Sequence, residues 1–214
     1  MSTDDNHELS RREKERLWHR RLILEAAEEL FSTRGYHATS VQQIAEKAEF
    51  SVGFLYNMFE NKEDLYHQLV EQRMEEYDRQ VTERIEDAAD AVEKVRAVIS
   101  TKLDFFRHNR QFFNIFMNLC AASAERRPPP FDREIIDRYM SYQSDLEEIF
   151  RSGIREGLFG DYDPAMAVLA LEGITNTIIR RWSGPVEEER ELVDPDTVES
   201  LLFHGLLAEG NSHE

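Results

Sequence analysis

Apolar residues recur at intervals of three and four residues along almost the whole chain. No stretch shows the strict alternation of apolar and polar residues that is typical of a half-buried strand. Pro, Gly and Asp residues fall where one periodic segment ends and the next begins. The pattern therefore predicts an all-α protein, with a first helix ending before Gly35 and further helices over about 40–48, 52–59, 62–87, 91–108, 110–125, 132–156, 164–183 and 195–209. The segment over 110–125 is apolar around most of its circumference, so we expect it to be central.

Two of these segments are short and stand close together. The segments over 40–48 and 52–59 each carry apolar residues on one face, namely Val41, Ile44, Ala45 and Ala48, then Leu55 and Phe59. Ser51 precedes the second segment, where its hydroxyl can accept from the free N–H groups at a helix start. Two helices joined by such a turn form a helix-turn-helix, whose second helix enters the DNA major groove. On spacing alone, an ordinary three-helix subdomain is the alternative.

Charge is distributed unevenly along the chain. The formal net charge is −17, and residues 1–66 hold 9 Lys and Arg against 13 Asp and Glu, a charge of −4. Residues 30–45 contain no acid, and residues 50–59 contain no charged residue. A segment without acidic residues does not repel phosphates. The acidic residues in the rest of the chain would repel DNA from other surfaces and so orient the protein on it.

Many positions between Ile23 and Leu69 match a known pattern at fixed spacing. The matching residues are Ile23, Leu24, Glu25, Ala26, Ala27, Leu30, Phe31, Arg34, Gly35, Tyr36, Ala38, Thr39, Ser40, Val41, Ile44, Ala45, Ser51, Gly53, Leu55, Tyr56, Phe59, Lys62, Glu63, Asp64 and Leu65. In these residues the chain resembles the DNA-binding domain of TetR/AcrR-type transcriptional regulators. The resemblance implies a three-helix DNA-binding domain over 18–65, with the motif at about 40–59. A helical ligand-binding and dimerisation domain would follow over 66–210.

The resemblance also implies which residues would meet DNA. Thr39 or Ser40, Ser51, Tyr56 and Lys62 would contact phosphates, and positions 52, 54, 57 and 58 would face base edges. Gly53, which has no side chain, would let two helices approach closely. The complete set of candidate DNA-binding residues is Thr39, Ser40, Ser51, Val52, Gly53, Phe54, Tyr56, Asn57, Met58 and Lys62.

This chain departs from the family pattern inside the motif. Val52 replaces a basic residue, and Glu49 takes the usual place of glycine in the turn. Asn57 and Met58 replace a pair usually built from aromatics, His or Arg, and Phe54 stands where a small residue is common. Asn57 suits bidentate bonding to adenine and Phe54 suits contact with a thymine methyl. Alternatively, either side chain only supports the helix.

The first 17 residues are expected to form a flexible arm of mixed charge. Residues 1–10 are polar, and a basic stretch follows with Arg11, Arg12, Lys14 and Arg16. Such an arm could reach the DNA backbone or minor groove beside the recognition helix. Because Glu13 and Glu15 alternate with these residues, a solvated extension of the first helix is an equal alternative.

Aromatic residues gather in the middle of the chain. They form either plain core or an effector pocket with apolar walls and a few polar groups. The resemblance favours a pocket, formed by Met74, Phe105, Phe112, Phe113, Phe116, Met117, Cys120, Tyr139, Tyr142 and Gln143. The cluster has no obvious charged anchor, so the sequence predicts a mainly hydrophobic effector.

The last two helices have broad apolar faces. The resemblance implies that they form a two-fold dimer interface, whereas the alternative is packing inside one subunit. The residues expected at the interface are Leu171, Ile174, Ile178, Trp182, Leu201, Leu202, Gly205 and Leu206.

Several classes of function lack sequence support. No phosphate-binding, nucleophile-elbow or His-Glu-x-x-His motif is present, and no two histidines lie three or four residues apart. We therefore expect no enzyme activity, no cofactor and no metal site. No run of 18 apolar residues occurs and Cys120 is the single cysteine, so we expect no membrane contact and a cytoplasmic location.

These observations lead to one reading of the function. The chain is identified as a homodimeric transcriptional regulator, a repressor that leaves a palindromic operator on double-stranded DNA when a hydrophobic small-molecule effector binds. The alternative is a helical ligand-binding or interaction protein whose DNA specificity has decayed. Glu49, Val52 and Met58 favour that alternative.

Overall fold

The structure is a computed structural model that describes residues 10–124, 133–183 and 195–206. Within those ranges the elements are α-helices, which agrees with the predicted all-α class: α1 (Arg11–Arg34), α2 (Val41–Lys47), α3 (Val52–Tyr56), α4 (Lys62–Glu86), α5 (Ala91–His108), α6 (Arg110–Ala124), α7 (Arg133–Arg155), α8 (Pro164–Ser183) and α9 (Pro195–Leu206). The chain divides into two compact units, Met1–Leu69 and Val70–Glu214. The boundary between these two units follows residue 69, within α4.

The first unit encloses a small core between α1, α2, α3 and the start of α4. Each helix contributes apolar side chains that are at most 3% exposed, namely Ile23, Ala27, Phe31, Ile44, Leu55 and Leu65. Gly35 ends α1 at a φ of 80°, and its N–H donates to the carbonyl of Phe31. Glycine suits this position because the positive φ would strain most other residues.

The predicted flexible arm is helical over residues 11–17, since α1 begins at Arg11. Ser10 and Glu13 form a capping box, in which each backbone N–H donates to the side chain of the other residue at 2.8–3.3 Å. This arrangement satisfies two N–H groups at the helix start. The extension is solvent-exposed, as the alternative prediction had it, and residues 1–9 lie outside the described part of the chain.

Helix α5 lies at the centre of the second unit, where it packs against α6, α7, α8 and α9. Its buried residues surround it and include Val95, Val98, Ile99, Leu103 and Phe106. We expected α6 at the centre instead. Helix α6 buries its phenylalanines but exposes Gln111, Asn114 and Asn118, so one of its faces meets solvent.

The turn between α7 and α8 closes tightly over the end of α7. Gly157 has a φ of 72°, and the N–H of Leu158 returns to the carbonyl of Gly153 at 2.8 Å. The ring of Phe159 then covers Gly153 so closely that a Cβ there would lie 2.3 Å from the ring. Glycine at 153 therefore permits this packing.

Candidate functional site

The helix-turn-helix is built by two capped helices, α2 and α3. The Ser40 hydroxyl accepts the N–H of Gln43, whose side chain accepts the N–H of Ser40 in return. Ser51 caps α3 by accepting the N–H of Phe54 at 3.1 Å. Helix α3 ends at Tyr56 rather than near residue 59, and Asn57 is its C-cap. Ser40 is the N-cap of α2.

Glu49 holds a strained backbone conformation in the turn between the two helices. Its φ is 60°, and it is the one non-glycine residue with positive φ in the described chain. The left-handed region costs an L-residue with a Cβ about 1–2 kcal/mol. The N–H of Phe50 donates to the carbonyl of Ala45, which fixes the turn around this residue. The Glu49 side chain is exposed, so it also adds a negative charge beside α3.

Replacing Glu49 by glycine is expected to raise the free energy of unfolding by about 1 kcal/mol. The relief of backbone strain is only partly offset by the greater entropy that glycine gives the unfolded chain. Glu49→Gln removes the charge but keeps the Cβ, so its stability should be unchanged. Both variants should bind DNA more tightly than wild type, and to a similar degree. Denaturant unfolding and fluorescence anisotropy measure the two effects. Equal stabilisation by Gln and Gly would exclude strain as the cause.

The residues predicted to face DNA differ in how far they are exposed. Ser40, Ser51, Gly53 and Asn57 are exposed, and Tyr56 is 53% exposed. The two serine hydroxyls accept backbone N–H groups, so each still has its own proton to donate to a phosphate oxygen. Val52 and Met58 are half-buried.

Phe54 belongs to an aromatic cluster inside the first unit. Its ring stacks on Phe50 with centroids 4.8 Å apart, and His19 of α1 meets both rings edge-on at 5.2 and 5.4 Å. The cluster anchors α3 and the preceding turn against α1. Of the two roles predicted for Phe54, the contacts favour support of the helix over contact with a base.

Thr39 was one of two candidates for a phosphate contact, but it is only 2% exposed. Its hydroxyl donates to the carbonyl of Gly35 at 2.8 Å and lies 3.3 Å from the carbonyl of Leu30. Ser40 is exposed one residue later, so it is the candidate of the two whose hydroxyl is accessible to a phosphate. Thr39 instead holds the segment between α1 and α2 in place.

Lys62 has structural partners at the start of α4. Its Nζ donates to the carbonyls of Tyr36 and Thr39, both at 2.9 Å, and lies 4.1 Å from the centre of the Tyr36 ring. An ammonium group has three donors, so one proton remains for a phosphate. Lys47, the other lysine near the motif, pairs with Glu29 at 2.6 Å.

An internal cavity lies in the second unit between α4, α5, α6, α7 and α8. It is lined by Met74, Tyr77, Asp78, Lys102, Phe106, Phe112, Phe116, Tyr139, Tyr142 and Glu172. Its volume is about 20 Å³, which accommodates about one water molecule. Binding pockets for small molecules are typically about 300–1,000 Å³. A ligand could therefore enter only if the surrounding side chains move apart.

The cavity contains half of the residues predicted for the pocket. Met74, Phe112, Phe116, Tyr139 and Tyr142 line it. Phe105, Phe113, Met117 and Gln143 do not line it: the first two are buried in the core and the last two are half-buried. The side chain of Cys120 lies outside the described part.

Charged residues in the cavity wall were missed by sequence reasoning. The Lys102 Nζ lies 2.7 Å from a carboxylate oxygen of Glu172, and the two side chains are 2% and 5% exposed. The expectation of a pocket without a charged anchor is therefore wrong. Thr101 and Thr175 beside them are fully buried, which marks the α5–α8 contact as polar. The only sequence signal is that Lys102 lies between buried positions of an otherwise apolar stripe.

Two tyrosines line the cavity, and one of them, Tyr142, also lines a larger neighbouring groove. The hydroxyls of Tyr77 and Tyr142 lie 3.0 Å apart. Burial raises the pKa of both phenols well above the usual value, and the nearby charge of Glu172 raises the pKa further. Both groups are therefore protonated at neutral pH. The groove beyond them has a volume of about 250 Å³ and includes Arg138, which pairs with Asp78 at 2.7 Å.

Family comparisons identify both units. A family model described as bacterial regulatory proteins of the tetR family matches residues 23–69. A second model, described as the C-terminal domain of tetracyclin repressor-like proteins, matches residues 88–189. The chain belongs to the TetR family of transcriptional regulators. It is thus a DNA-binding regulator of a class controlled by small-molecule ligands.

Individual relatives agree with this assignment. The chain is 26% identical to the fatty acid metabolism regulator protein of Bacillus subtilis, over 86% of this chain and 93% of the relative. The structure of the ketosteroid transcriptional regulator KstR2 of Mycobacterium tuberculosis matches with a TM-score of 0.76 at 21% identity, over 89% of this chain and 95% of that one. AibR in complex with isovaleryl coenzyme A and operator DNA matches with a TM-score of 0.71 at 24% identity, over 87% and 97%.

In this TetR-family chain, the predicted interface residues on α8 and α9 fall into two groups that differ in solvent exposure. Leu171, Trp182 and Leu202 are at most 8% exposed and pack inside the subunit, which favours the alternative of packing within one subunit for these three. Leu201 is 66% exposed, while Ile174 and Ile178 are half-buried. The burial of Gly205 and of Leu206 lies outside the described part. Sequence reasoning missed the exposed Met166 and Leu169 on α8.

The described part of the chain has neither a metal-binding cluster nor a membrane-spanning helix. In residues 10–124, 133–183 and 195–206, no group of three His, Cys, Asp or Glu residues is arranged to hold a metal ion. No helix in the same ranges is both long enough and apolar enough to cross a membrane.

Proposed function

We propose that the protein is a homodimeric repressor that binds a palindromic operator through α2 and α3. An acyl-coenzyme A thioester would enter the second unit through its acyl chain and cause release of the operator. The observation that carries this proposal is the course of α4. This single helix starts at Lys62, whose ammonium is bonded to the segment before α2, and it contributes Met74, Tyr77 and Asp78 to the cavity wall.

The DNA-binding part rests on the surface of α3. Tyr56 and Asn57 are exposed beside the hydroxyls of Ser40 and Ser51. Serine, tyrosine and lysine would hold the phosphates and set the register, whereas an asparagine amide can discriminate between bases. Positive charge for the backbone would come from α1, where Arg11, Arg12 and Arg16 are exposed.

Asn57→Ala and Lys62→Met are expected to affect DNA binding in different ways. Loss of the Asn57 amide should relax preference at one base position, with about 1–3 kcal/mol less discrimination and little change in stability. Loss of the Lys62 ammonium should weaken binding to every sequence. It should also reduce the slope of the logarithm of the binding constant against the logarithm of the salt concentration by about one. It should also lower the free energy of unfolding by about 1–3 kcal/mol, because two bonds to carbonyls disappear.

Lys47→Met is the matched control for Lys62→Met. It removes the same charge from the same unit, but its pair with Glu29 is partly exposed and contributes at most about 1 kcal/mol. Anisotropy titrations against operator variants at several salt concentrations, together with urea unfolding, measure these effects. If Lys62→Met and Lys47→Met behave alike, the structural role of Lys62 is contradicted.

The ligand-binding part rests on the chemistry of the cavity. Phe106, Phe112 and Phe116 supply apolar walls, and the neighbouring groove carries Arg138. A thioester with an apolar chain and a large anionic head suits an apolar cavity that opens toward a polar groove. The names of two relatives, the regulator of fatty acid metabolism and AibR with isovaleryl coenzyme A, support the same class of ligand.

Release would follow from the small size of the cavity. An acyl chain can enter only if its walls separate, and α4 supplies part of those walls. A two-fold dimer binds two half-sites only if its recognition helices are about 34–36 Å apart, or a multiple of one DNA turn. Displacement of α4 would change that spacing. Full release changes the ratio of the non-binding to the DNA-binding conformation from about 1:99 to about 99:1. The effector must then bind the non-binding conformation more tightly by about 5.5 kcal/mol.

The test begins with duplexes selected by the purified protein from random DNA. Fluorescence anisotropy then follows release of the selected duplex as acyl-coenzyme A thioesters of increasing chain length are added. We expect salt-dependent binding to a palindrome and release by at least one thioester. Absence of specific binding, even at low salt, would favour the alternative of a ligand-binding protein with decayed DNA specificity. Specific binding that no thioester reverses would contradict the proposed effector class.

A further inference from the structure

The buried ion pair between Lys102 and Glu172 lies in the wall of the cavity, where it is in a position to contact a ligand. Its two side chains line the cavity and are 2% and 5% exposed. In the described part of the chain, neither Lys102 Nζ nor Glu172 Oε1 has a hydrogen-bond partner besides this ion pair. Asn176 donates to the other carboxylate oxygen, Glu172 Oε2, at 3.4 Å.

Stability alone does not explain this arrangement. Removing two charges from water is costly, and a buried pair recovers that cost only when further hydrogen bonds satisfy its remaining donors and acceptors. An ammonium group has three N–H donors, and here the pair with Glu172 is its sole interaction among the described residues. Apolar residues of similar size often serve as well or better at such positions. The unused donors beside a cavity therefore point to a ligand atom.

The tyrosine pair adds a second kind of donor to the same cavity. Tyr77 and Tyr142 share one hydrogen bond at 3.0 Å, in which either hydroxyl can be the donor. Because burial raises the pKa of both phenols, both keep their protons, and only one of the two protons is needed for the bond between them. The cavity thus combines O–H and N–H donors with the apolar walls of Phe106, Phe112 and Phe116.

We propose that Lys102, held by Glu172, binds a neutral oxygen acceptor at the buried end of the effector. The ligand class is an apolar chain or ring whose far end carries a carbonyl oxygen. The ion pair is neutral as a whole, so a neutral acceptor adds no charge to the buried site. A carboxylate would leave a net negative charge there, at a high desolvation cost. This inference rests on the proposed function, in which the effector is an acyl thioester. It specifies the chemical group at the end of the acyl chain opposite the thioester.

The experiment compares three thioesters of equal chain length. Octanoyl-coenzyme A has a plain chain, 7-oxooctanoyl-coenzyme A has a ketone near its end, and the mono-thioester of octanedioic acid ends in a carboxylate. Isothermal titration calorimetry gives the affinity of each for the full-length wild type and for the double variant Lys102→Met/Glu172→Met. Arg84→Met/Asp104→Met is the matched control, since this pair joins α4 and α5 at the surface with both side chains 46% exposed.

We expect the wild type and the control to bind the keto thioester at least about tenfold more tightly than the plain one, as a hydrogen bond to a charged group predicts. The double variant, checked for folding by circular dichroism, should lose this preference. Equal affinity of the plain and keto chains for wild type would overturn the inference and leave the proposed function intact. A preference for the carboxylate, or a keto preference that survives in the double variant, would also overturn it. Binding of none of the three would overturn the inference for this chain length, and the proposed function would fall only if no thioester of any length released the operator.

Discussion

Replacing Glu172 by methionine is expected to lower the free energy of unfolding by about 3–5 kcal/mol, because the Lys102 ammonium would remain buried without its counter-charge. The two atoms are 2.7 Å apart and almost fully buried, and the single water molecule that the cavity accommodates would not neutralise the ammonium charge. A domain of ordinary stability has only about 5–15 kcal/mol in total. The single variant should therefore unfold at a much lower urea concentration than wild type.

The double variant Lys102→Met/Glu172→Met should recover most of that loss, because no charge is then left unpaired. Urea unfolding followed by circular dichroism gives both values, at one protein concentration since association would shift the midpoint. Equal destabilisation by the single and double variants would mean that lost packing, rather than an unpaired charge, is responsible. A single variant as stable as wild type would contradict the burial of the pair.

The double variant Leu169→Glu/Leu201→Glu is expected to convert the dimer to a monomer and to weaken binding to a palindromic operator by about 100-fold or more. Leu169 of α8 and Leu201 of α9 are 62% and 66% exposed in the single subunit, and Met166 beside Leu169 is 59% exposed. Burying four carboxylates across a two-fold interface would be highly unfavourable. Linking two half-site contacts in a dimer typically raises the affinity by factors of about 10²–10⁴, and the monomer loses this gain.

Met140→Glu is the control for this variant. Met140 on α7 is a large apolar residue with a similar exposure of 58%, but it does not belong to α8 or α9. It should leave the dimer and operator binding unchanged. Sedimentation velocity and anisotropy on the same samples measure association and DNA binding. A Leu169→Glu/Leu201→Glu protein that stays dimeric would refute this interface, and a Met140→Glu monomer would move it to α7.

The DNA-binding unit could be predicted almost completely from sequence because its signals are local. Ser40 and Ser51 cap helices through hydrogen bonds to residues three positions away, and Gly35 provides a backbone conformation that its own lack of Cβ permits. Where the prediction of this unit was wrong, the cause was a side-chain hydrogen bond that helical spacing and capping patterns do not reveal. Thr39 turned inward because carbonyls of Leu30 and Gly35 were within reach of its hydroxyl.

The cavity was predicted less well, since periodicity finds the buried face of a helix but not its partner. Phe112 and Phe116 were recognised, while Lys102 was missed because a single lysine is usually solvated at a helix surface. Its burial depends on Glu172, which is 70 residues away along the chain but 2.7 Å away in space. The apolar faces of α8 raised the same difficulty. Spacing alone could not separate Leu171, which is fully buried, from Leu169, which is exposed.

By itself, the sequence determined the all-α class, most helix ends, the helix-turn-helix and the family, because periodicity, caps and turns act over a few residues. Only the tertiary structure decided which apolar faces are covered within the subunit. It also decided that the aromatic cavity is small and contains an ion pair, and that Lys62 is bonded to backbone carbonyls. Those outcomes depend on the burial and desolvation of groups that meet only when distant segments pack together.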